Sequence, residues 1–246
     1  MSIRRWPWRW RVAGAALAVV AVVALAPLGR GMAASLTLTS QNLTPYRTCT
    51  LTATPTTTTV VTDASVRQGA GGTNFGGATT NDVATGNGVN RRLYIRFDLS
   101  TCSPAIPSSA VIRLATLRVY ASAVPAVCRT VDLFRVTASW TEAAITWNTQ
   151  PFGTTINNPA SGSALDTYTI GTPAGCQNQG AGSYITGANP TTDVAAFVAG
   201  TATNFGWMLR DDTEGSATTY TSTYSAKDLG TLAQAPQLVI TYVWVP

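Results

Sequence analysis

Residues 91–100, RRLYIRFDLS, place an apolar side chain at every second position from Leu93 to Leu99. Side chains of a β-strand point alternately to its two faces, so this period of two predicts a strand with one face in a core. The same alternation recurs at 111–123 and at 129–140, and turn-forming residues separate the segments. Strands that follow one another at a spacing of about a dozen residues predict a β-sandwich or a barrel.

The composition also favours an all-β fold. The chain is rich in Thr and Val, which favour strands, and in Gly, which favours turns. One helix at most is predicted, at 191–200, with Thr191 or Thr192 as its N-cap, Asp193 in its first turn and Gly200 at its end. Further strands are predicted near Val83 and at 167–170, 205–212, 218–225 and 236–245.

The N-terminus has the three parts of an export signal. The basic stretch MSIRRWPWRWR precedes the apolar run VAGAALAVVAVVALAPLG, and the small residues GMAAS follow it. This order predicts a signal peptide at 1–34, cleaved after Ala33 or Ala34, since Pro27 disfavours cleavage after Ala26. An uncleaved membrane anchor is the alternative, because the apolar run approaches the length that spans a bilayer.

Cleavage of the signal peptide changes the charge of the chain. It removes five of the 16 Lys and Arg residues and none of the 11 acidic residues, so the mature chain is close to neutral. Lys227 is its only lysine. A neutral surface does not attract a phosphate backbone, so the sequence predicts no nucleic-acid partner, and contact with a membrane only through the export signal.

The four cysteines are Cys49, Cys102, Cys128 and Cys176. An even number in an exported chain predicts two disulfides, and three pairings are possible. The chain has no histidine and no C-x-x-C, which argues against a zinc site and against Cys–His or Ser–His–Asp catalysis. The sequence therefore predicts no cofactor, no metal ligand and no catalytic residue.

The densest acidic group is RDDTEG at 210–215. A calcium loop is one interpretation, because calcium takes several carboxylate ligands, but the alternating spacing of an EF-hand loop is lacking. A solvated loop after a strand is the interpretation that we favour. Asp132 and Glu142 could supply the two carboxyl groups of a glycoside hydrolase, but nothing else in the sequence supports that role.

Four residues are candidates for ligand binding: Tyr94, Arg96, Arg118 and Tyr120. They lie on the outward faces of two strands that we predict to be neighbours. Guanidinium groups match carboxylates and tyrosine rings stack on sugars, so this face could bind an acidic glycan. The alternative is that the two arginines pair with aspartates across strands.

The segment 139–153, SWTEAAITWNTQPFG, contains Trp140 and Trp147. Burial of both rings, as anchors of an irregular crossover, is the favoured interpretation, and stacking on a ligand is the alternative.

The sequence TNFG occurs at 73–76, in a glycine-rich loop, and again at 203–206. The loop lacks the Gly-Lys-Ser/Thr ending of a phosphate-binding loop. We interpret TNFG as one turn sequence used twice, because the flanking residues do not match.

Six segments together, in this order, resemble the DNRLRE domain, which is named after disaggregatase-related proteins. The most specific is W-T-E-x-x-I-T-W-N-x-x-P, from Trp140 to Pro151, and the resemblance covers residues 56–244. The segments are DASVRQG…TNFGG (63–77), RRLYIRFDLS (91–100), ATLRVYASA (115–123), VDLFRVTASWTEAAITWNTQP (131–151), GWMLRDD (206–212) and YSAKDLGTLAQAPQLVITYV (224–243).

The DNRLRE family overlaps a carbohydrate-binding-module family found beside alginate-degrading enzymes. The resemblance implies an extracellular, antiparallel, jelly-roll-like β-sandwich that is not an enzyme and that binds polysaccharide, with acidic or cell-surface glycans as the expected partners. A structural or adhesive protein of the cell surface or matrix, without a small ligand, is the alternative. We expect a signal peptide at 1–34, an N-terminal strand segment at 35–55 packed on the domain, and the sandwich domain at 56–246.

Overall fold

The computed structural model describes residues 46–54, 58–158 and 162–244. The signal peptide predicted at 1–34, and all of the predicted 35–55 segment before residue 46, lie outside the described residues. Among the residues that are described, no helix has the length and apolar character needed to cross a membrane.

The described residues form strands, one α-helix and short 3₁₀ turns. The helix α1 is Thr191–Val198, and Gly200 follows it with a φ of 72°. The strands are β1 (Arg47–Thr52), β2 (Val61–Arg67), β3 (Thr80–Thr85), β4 (Arg91–Phe97), β5 (Val111–Arg118), β6 (Tyr120–Ala123), β7 (Arg129–Arg135), β8 (Asp166–Gly171), β9 (Asn178–Gln179), β10 (Ser183–Tyr184), β11 (Trp207–Asp211), β12 (Tyr220–Ser225) and β13 (Gln237–Val243).

The strands lie in two sheets. The small sheet has the order β1-β13-β5, and the large sheet has the order β10-β6-β12-β3-β4-β11-β7-β8-β9, with β2 also paired to β4. The pairs are antiparallel, except that β9 runs parallel to β8. The predicted all-β, jelly-roll-like sandwich is confirmed.

The helix α1 is confirmed, but its N-cap is Pro190 rather than Thr191 or Thr192. Thr191 is the first helical residue, and its hydroxyl oxygen accepts a hydrogen bond from the backbone N–H of Ala115 in β5 (2.8 Å). Asp193 lies in the first turn, as predicted. The side chain of Thr191 therefore ties the helix to the small sheet instead of capping it.

The prediction of one continuous strand at 111–123 is wrong. Leu117 of β5 pairs with Leu238 in the small sheet, whereas Ala121 of β6 pairs with Tyr224 in the large sheet. The chain changes sheets at Val119, which is fully buried and whose carbonyl accepts a hydrogen bond from the N–H of Ile185 (3.0 Å). Strands that pass from one sheet to the other form the corners of such sandwiches.

The main core lies between the sheets. The predicted inward face of β4 contributes Leu93, Ile95 and Phe97, all buried, and β13 contributes Leu238 and Ile240. Fully burying one such side chain stabilises the fold by about 1.5–3 kcal/mol.

A second apolar cluster covers the opposite face of the large sheet. The sheet contributes Tyr94 and its neighbours, and the segment 139–153 lies over them with Trp140 and Trp147, which are both buried. The predicted burial of the two tryptophans is thus confirmed. The members are Ala64, Val66, Tyr94, Phe134, Val136, Trp140, Ile145, Trp147, Phe152 and Met208.

Two disulfides, Cys49–Cys102 and Cys128–Cys176, confirm the predicted use of all four cysteines and select one of the three pairings. The first joins β1 of the small sheet to the turn that follows β4 in the large sheet. The second joins the start of β7 to the loop between β8 and β9.

Candidate functional site

Tyr94 does not line a ligand-binding face. Its side chain is fully buried, its hydroxyl donates to Oε1 of Gln150 (3.0 Å), and its ring meets the edge of Trp140 at a centroid distance of 5.7 Å. Because the segment 139–153 covers this part of β4, no sugar can reach the ring. The prediction for Tyr94 is therefore wrong.

Arg118 and Tyr120 are also separated from Arg96. Arg118 ends β5 in the small sheet, whereas Arg96 lies in β4 of the large sheet. The prediction that these two strands are neighbours is therefore wrong. Arg118 donates to Oε1 of Gln237 (3.0 Å), and its guanidinium lies 4.5 Å from the centre of the Tyr184 ring. The Tyr120 ring meets Tyr184 edge-on at 5.5 Å. These contacts give Arg118 and Tyr120 a structural role beside the sheet crossing.

Arg96 remains accessible at the surface. It is half-buried, and its guanidinium lies 5.6 Å from the centre of the Trp140 ring. A pocket of about 330 Å³ is lined by Arg96 with Thr59, Thr62, Phe97, Asp98 and Asn204. None of the ion pairs among the described residues involves Arg96, so its N–H groups are not committed to a carboxylate.

Trp140 connects this pocket to two more. Its side chain lines a second pocket, and its indole N–H donates to the carbonyl oxygen of Phe205 (2.8 Å), which lines a third pocket. Arg96 and Phe205 both contact Trp140, and we call the surface around these contacts the Arg96 strip. It is defined by Thr62, Arg96, Trp140, Asn204 and Phe205.

The Arg96 strip combines one guanidinium group with hydroxyl and amide groups. Arg135 does not belong to it, because Arg135 pairs in register with Trp207 on the inner face of the sheet and contacts Asp193 (3.4 Å). Trp140 is only 6 % exposed, so its ring can offer little stacking area. The strip is thus suited to hydrogen bonding of sugar hydroxyls and to ion pairing with carboxylates more than to stacking of sugar rings.

The two TNFG turns share one hydrogen-bond pattern and hold the parts of the strip in place. The N–H of Gly76 donates to Oδ1 of Asn74 (3.2 Å), and the N–H of Gly206 donates to Oδ1 of Asn204 (3.0 Å). Each asparagine also donates through Nδ2, Asn74 to two carbonyls of the segment 139–153 and Asn204 to the end of β4. The interpretation of TNFG as a turn used twice is confirmed.

The acidic segment 210–215 is structural. Glu214 is buried and pairs with Arg92 through two hydrogen bonds of 2.8 Å each. The other N–H groups of Arg92 donate to Gln150 and to two carbonyls in 153–155. The predicted solvated loop is therefore wrong for Glu214. The two partners stand 122 residues apart in the chain, so no local pattern could have revealed the pair.

Three carboxylates meet beside the segment 139–153. Oxygens of Asp63, Glu142 and Asp228 lie within 4.8 Å of one another. The ammonium of Lys227 lies 3.0 Å from both Glu142 and Asp228, and supplies positive charge. The backbone N–H of Lys227 donates to Asp63 (3.0 Å). Nevertheless, burial raises the pKa of Asp63 from 3.8 to about 7.

The raised pKa of Asp63 predicts a specific pH dependence of stability. The folded protein keeps this proton up to about pH 7, whereas the unfolded chain releases it near pH 4. The protonated Asp63 therefore favours the folded state fully below pH 4, and this stabilisation is lost as the pH rises to 7. Raising the pH from 4 to 7 thus lowers the free energy of unfolding, through Asp63, by up to roughly 4 kcal/mol. We expect Asp63→Asn to remove this decline in urea titrations from pH 4 to 8. Equal slopes in the two proteins would contradict the assignment.

The two packed sheets define the class of the protein, a β-sandwich module. The sequence model of carbohydrate-binding module family 96 matches residues 54–242, which is most of the chain. The chain belongs to this family. The predicted resemblance to a carbohydrate-binding-module family is thereby confirmed. Among curated proteins, no match to the chain was found.

The sequence indicated only part of the strip. Arg96 was a candidate, but Asn204 and Phe205 were not. The repeated TNFG was a usable signal, since its second copy supplies Asn204 and Phe205 directly.

Proposed function

We propose that the chain is a secreted, non-catalytic DNRLRE-type module that binds acidic polysaccharide along the Arg96 strip. Membership of family 96 supports a carbohydrate ligand. The observation that carries the proposal is Arg96, which lies against Trp140 with no carboxylate partner among the described residues. Asp98 lines the same pocket but forms no ion pair with Arg96, so the N–H groups of Arg96 stay available to the carboxylate of a uronic acid.

Secretion is supported by the signal peptide expected at 1–34 and by the two disulfides, which persist in oxidising compartments. The strip is open to solvent and its charges are few. Binding through it is therefore expected to be weak and to weaken further as salt screens the charge of Arg96.

Replacing Arg96 by glutamine tests the proposal. Loss of one charge-assisted hydrogen-bond pair should weaken binding of tetragalacturonate roughly tenfold at low salt. Calorimetric titration or affinity electrophoresis measures the change. Arg113→Gln is the matched control, because Arg113 is exposed on β5 of the small sheet, away from the strip. Affinity equal to that of the wild type in Arg96→Gln would remove the strip as the binding site.

A further inference from the structure

A second pair of arginines lies at the other end of the β2–β4 strand pair. Arg67 and Arg91 are opposite each other in register, as Thr62 and Arg96 of the Arg96 strip are. Arg91 and Arg96 are five residues apart on β4, which corresponds to about 17 Å along a strand. An odd separation also directs their side chains to opposite faces of the sheet. The two arginine pairs are therefore separate places on the molecule.

Both arginines of this second pair hold the same carboxylate. Oδ2 of Asp82 lies 2.9 Å from Nη2 of Arg67 and 3.0 Å from Nη1 of Arg91. Oδ1 of Asp82 accepts a hydrogen bond from the hydroxyl of Thr223 (3.1 Å). Asp82 is buried, so it lies beneath the guanidinium groups and leaves their outer edges toward solvent.

The two arginines line a pocket with apolar walls. The pocket has a volume of about 250 Å³ and is also lined by Gly69, Ala70, Phe75 and Val89. The guanidinium of Arg67 lies 4.0 Å from the centre of the Phe75 ring, so the ring fixes its orientation. The pocket thus combines two guanidinium groups with an aromatic ring.

The pocket has an excess of positive charge. Asp82 is the one carboxylate that forms an ion pair with Arg67 or Arg91 among the described residues, so two guanidinium groups face a single negative charge. An oxyanion in the pocket would balance this excess charge.

We propose that this pocket, the Arg67 pocket (Arg67, Gly69, Ala70, Phe75, Val89 and Arg91), binds the carboxylate of an acidic glycan as a second site. The choice of an acidic glycan as ligand rests on the proposed function of the Arg96 strip. The position of the pocket and its lining residues are independent of that function. The wall formed by Phe75 and Val89 offers an apolar surface to the C–H face of a sugar ring. With two sites at opposite ends of the sheet, one chain can hold two polysaccharide strands and cross-link them.

Chemical-shift mapping with tetragalacturonate tests the Arg67 pocket. In the wild type we expect two sets of signals to move, the amides of 67–75 and 88–91, and the indole N–H of Trp140 in the Arg96 strip. Arg67→Gln and Arg91→Gln should each raise the dissociation constant of the first set roughly tenfold and leave the Trp140 signal unchanged. Each of these variants leaves Asp82 one guanidinium partner. Arg96→Gln should instead weaken the response of the Trp140 signal and leave the amides of 67–75 and 88–91 unchanged.

The outcomes separate the two proposals. If the Trp140 signal moves in the wild type but the amide signals of 67–75 do not, the Arg67 pocket is overturned and the strip stands. The same holds if the 67–75 signals move as much in Arg67→Gln as in the wild type. If neither set moves in the wild type, the proposed function and the pocket both fail. Cellotetraose is the neutral control, and an equal response of the 67–75 amides to it would overturn recognition of a carboxylate.

Discussion

Replacing Arg92 by alanine is expected to lower the free energy of unfolding by about 3–5 kcal/mol, because the change leaves a buried carboxylate without its counter-charge. The side chains of Arg92 and Glu214 are both fully buried. Arg92 also lies over the Trp147 ring at 4.6 Å and donates to Gln150. Its removal therefore leaves several acceptors unpaired as well as one charge.

Denaturant unfolding, followed by tryptophan fluorescence, measures this loss. Arg113→Ala is the surface control and should stay within about 0.5 kcal/mol of the wild type. Replacing both partners by apolar residues, as in Arg92→Met with Glu214→Leu, should cost less than the sum of the two single changes, since no charge is then left alone. A cost below about 1 kcal/mol for Arg92→Ala would show that water reaches Glu214 in the folded protein.

The same network supports the Arg96 strip. Gln150 accepts hydrogen bonds from both Arg92 and Tyr94, and so fastens the segment 139–153 to β4. That segment carries Trp140, against which Arg96 lies. The buried pair thus determines the position of a residue in the Arg96 strip without reaching the strip itself.

Alternation predicted the strands well, because a strand with one face in the core must repeat with a period of two. It could not locate the change of sheet between β5 and β6. Leu117 and Val119 are both inward on either side of the crossing, and Arg118 and Tyr120 are both outward, so the pattern continues without interruption. The pairing partners alone reveal the break, and these come from distant strands.

The candidate site was harder to predict for a related reason. Alternation assigns Tyr94 to the outward face of β4, and the structure agrees, but the pattern does not reveal what covers that face. The cover is the segment 139–153, some 45 residues further along the chain. Arg96, two positions after Tyr94, lies at the margin of this cover and stays accessible. One outward face therefore contains both a core residue and an accessible arginine.

Removing the Cys49–Cys102 disulfide, by replacing both buried cysteines with alanine, is expected to cost about 4 kcal/mol. The bond closes a separation of 53 residues, and the loss of chain entropy in the unfolded state that such a closure causes corresponds to this value. The Cys128–Cys176 bond closes 48 residues, so the same reasoning predicts nearly the same cost. Denaturant unfolding of the two double variants gives both values.

The comparison of the two bonds decides which mechanism dominates. If the entropy of the unfolded chain sets the cost, the two variants should differ by less than about 0.5 kcal/mol, because the cost varies only with the logarithm of loop length. If native contacts matter more, loss of Cys49–Cys102 should cost clearly more, since this bond joins the two sheets whereas Cys128–Cys176 joins β7 to a loop of the same sheet. Unchanged stability in both variants would contradict either mechanism and would assign the sandwich's stability to its two apolar clusters alone.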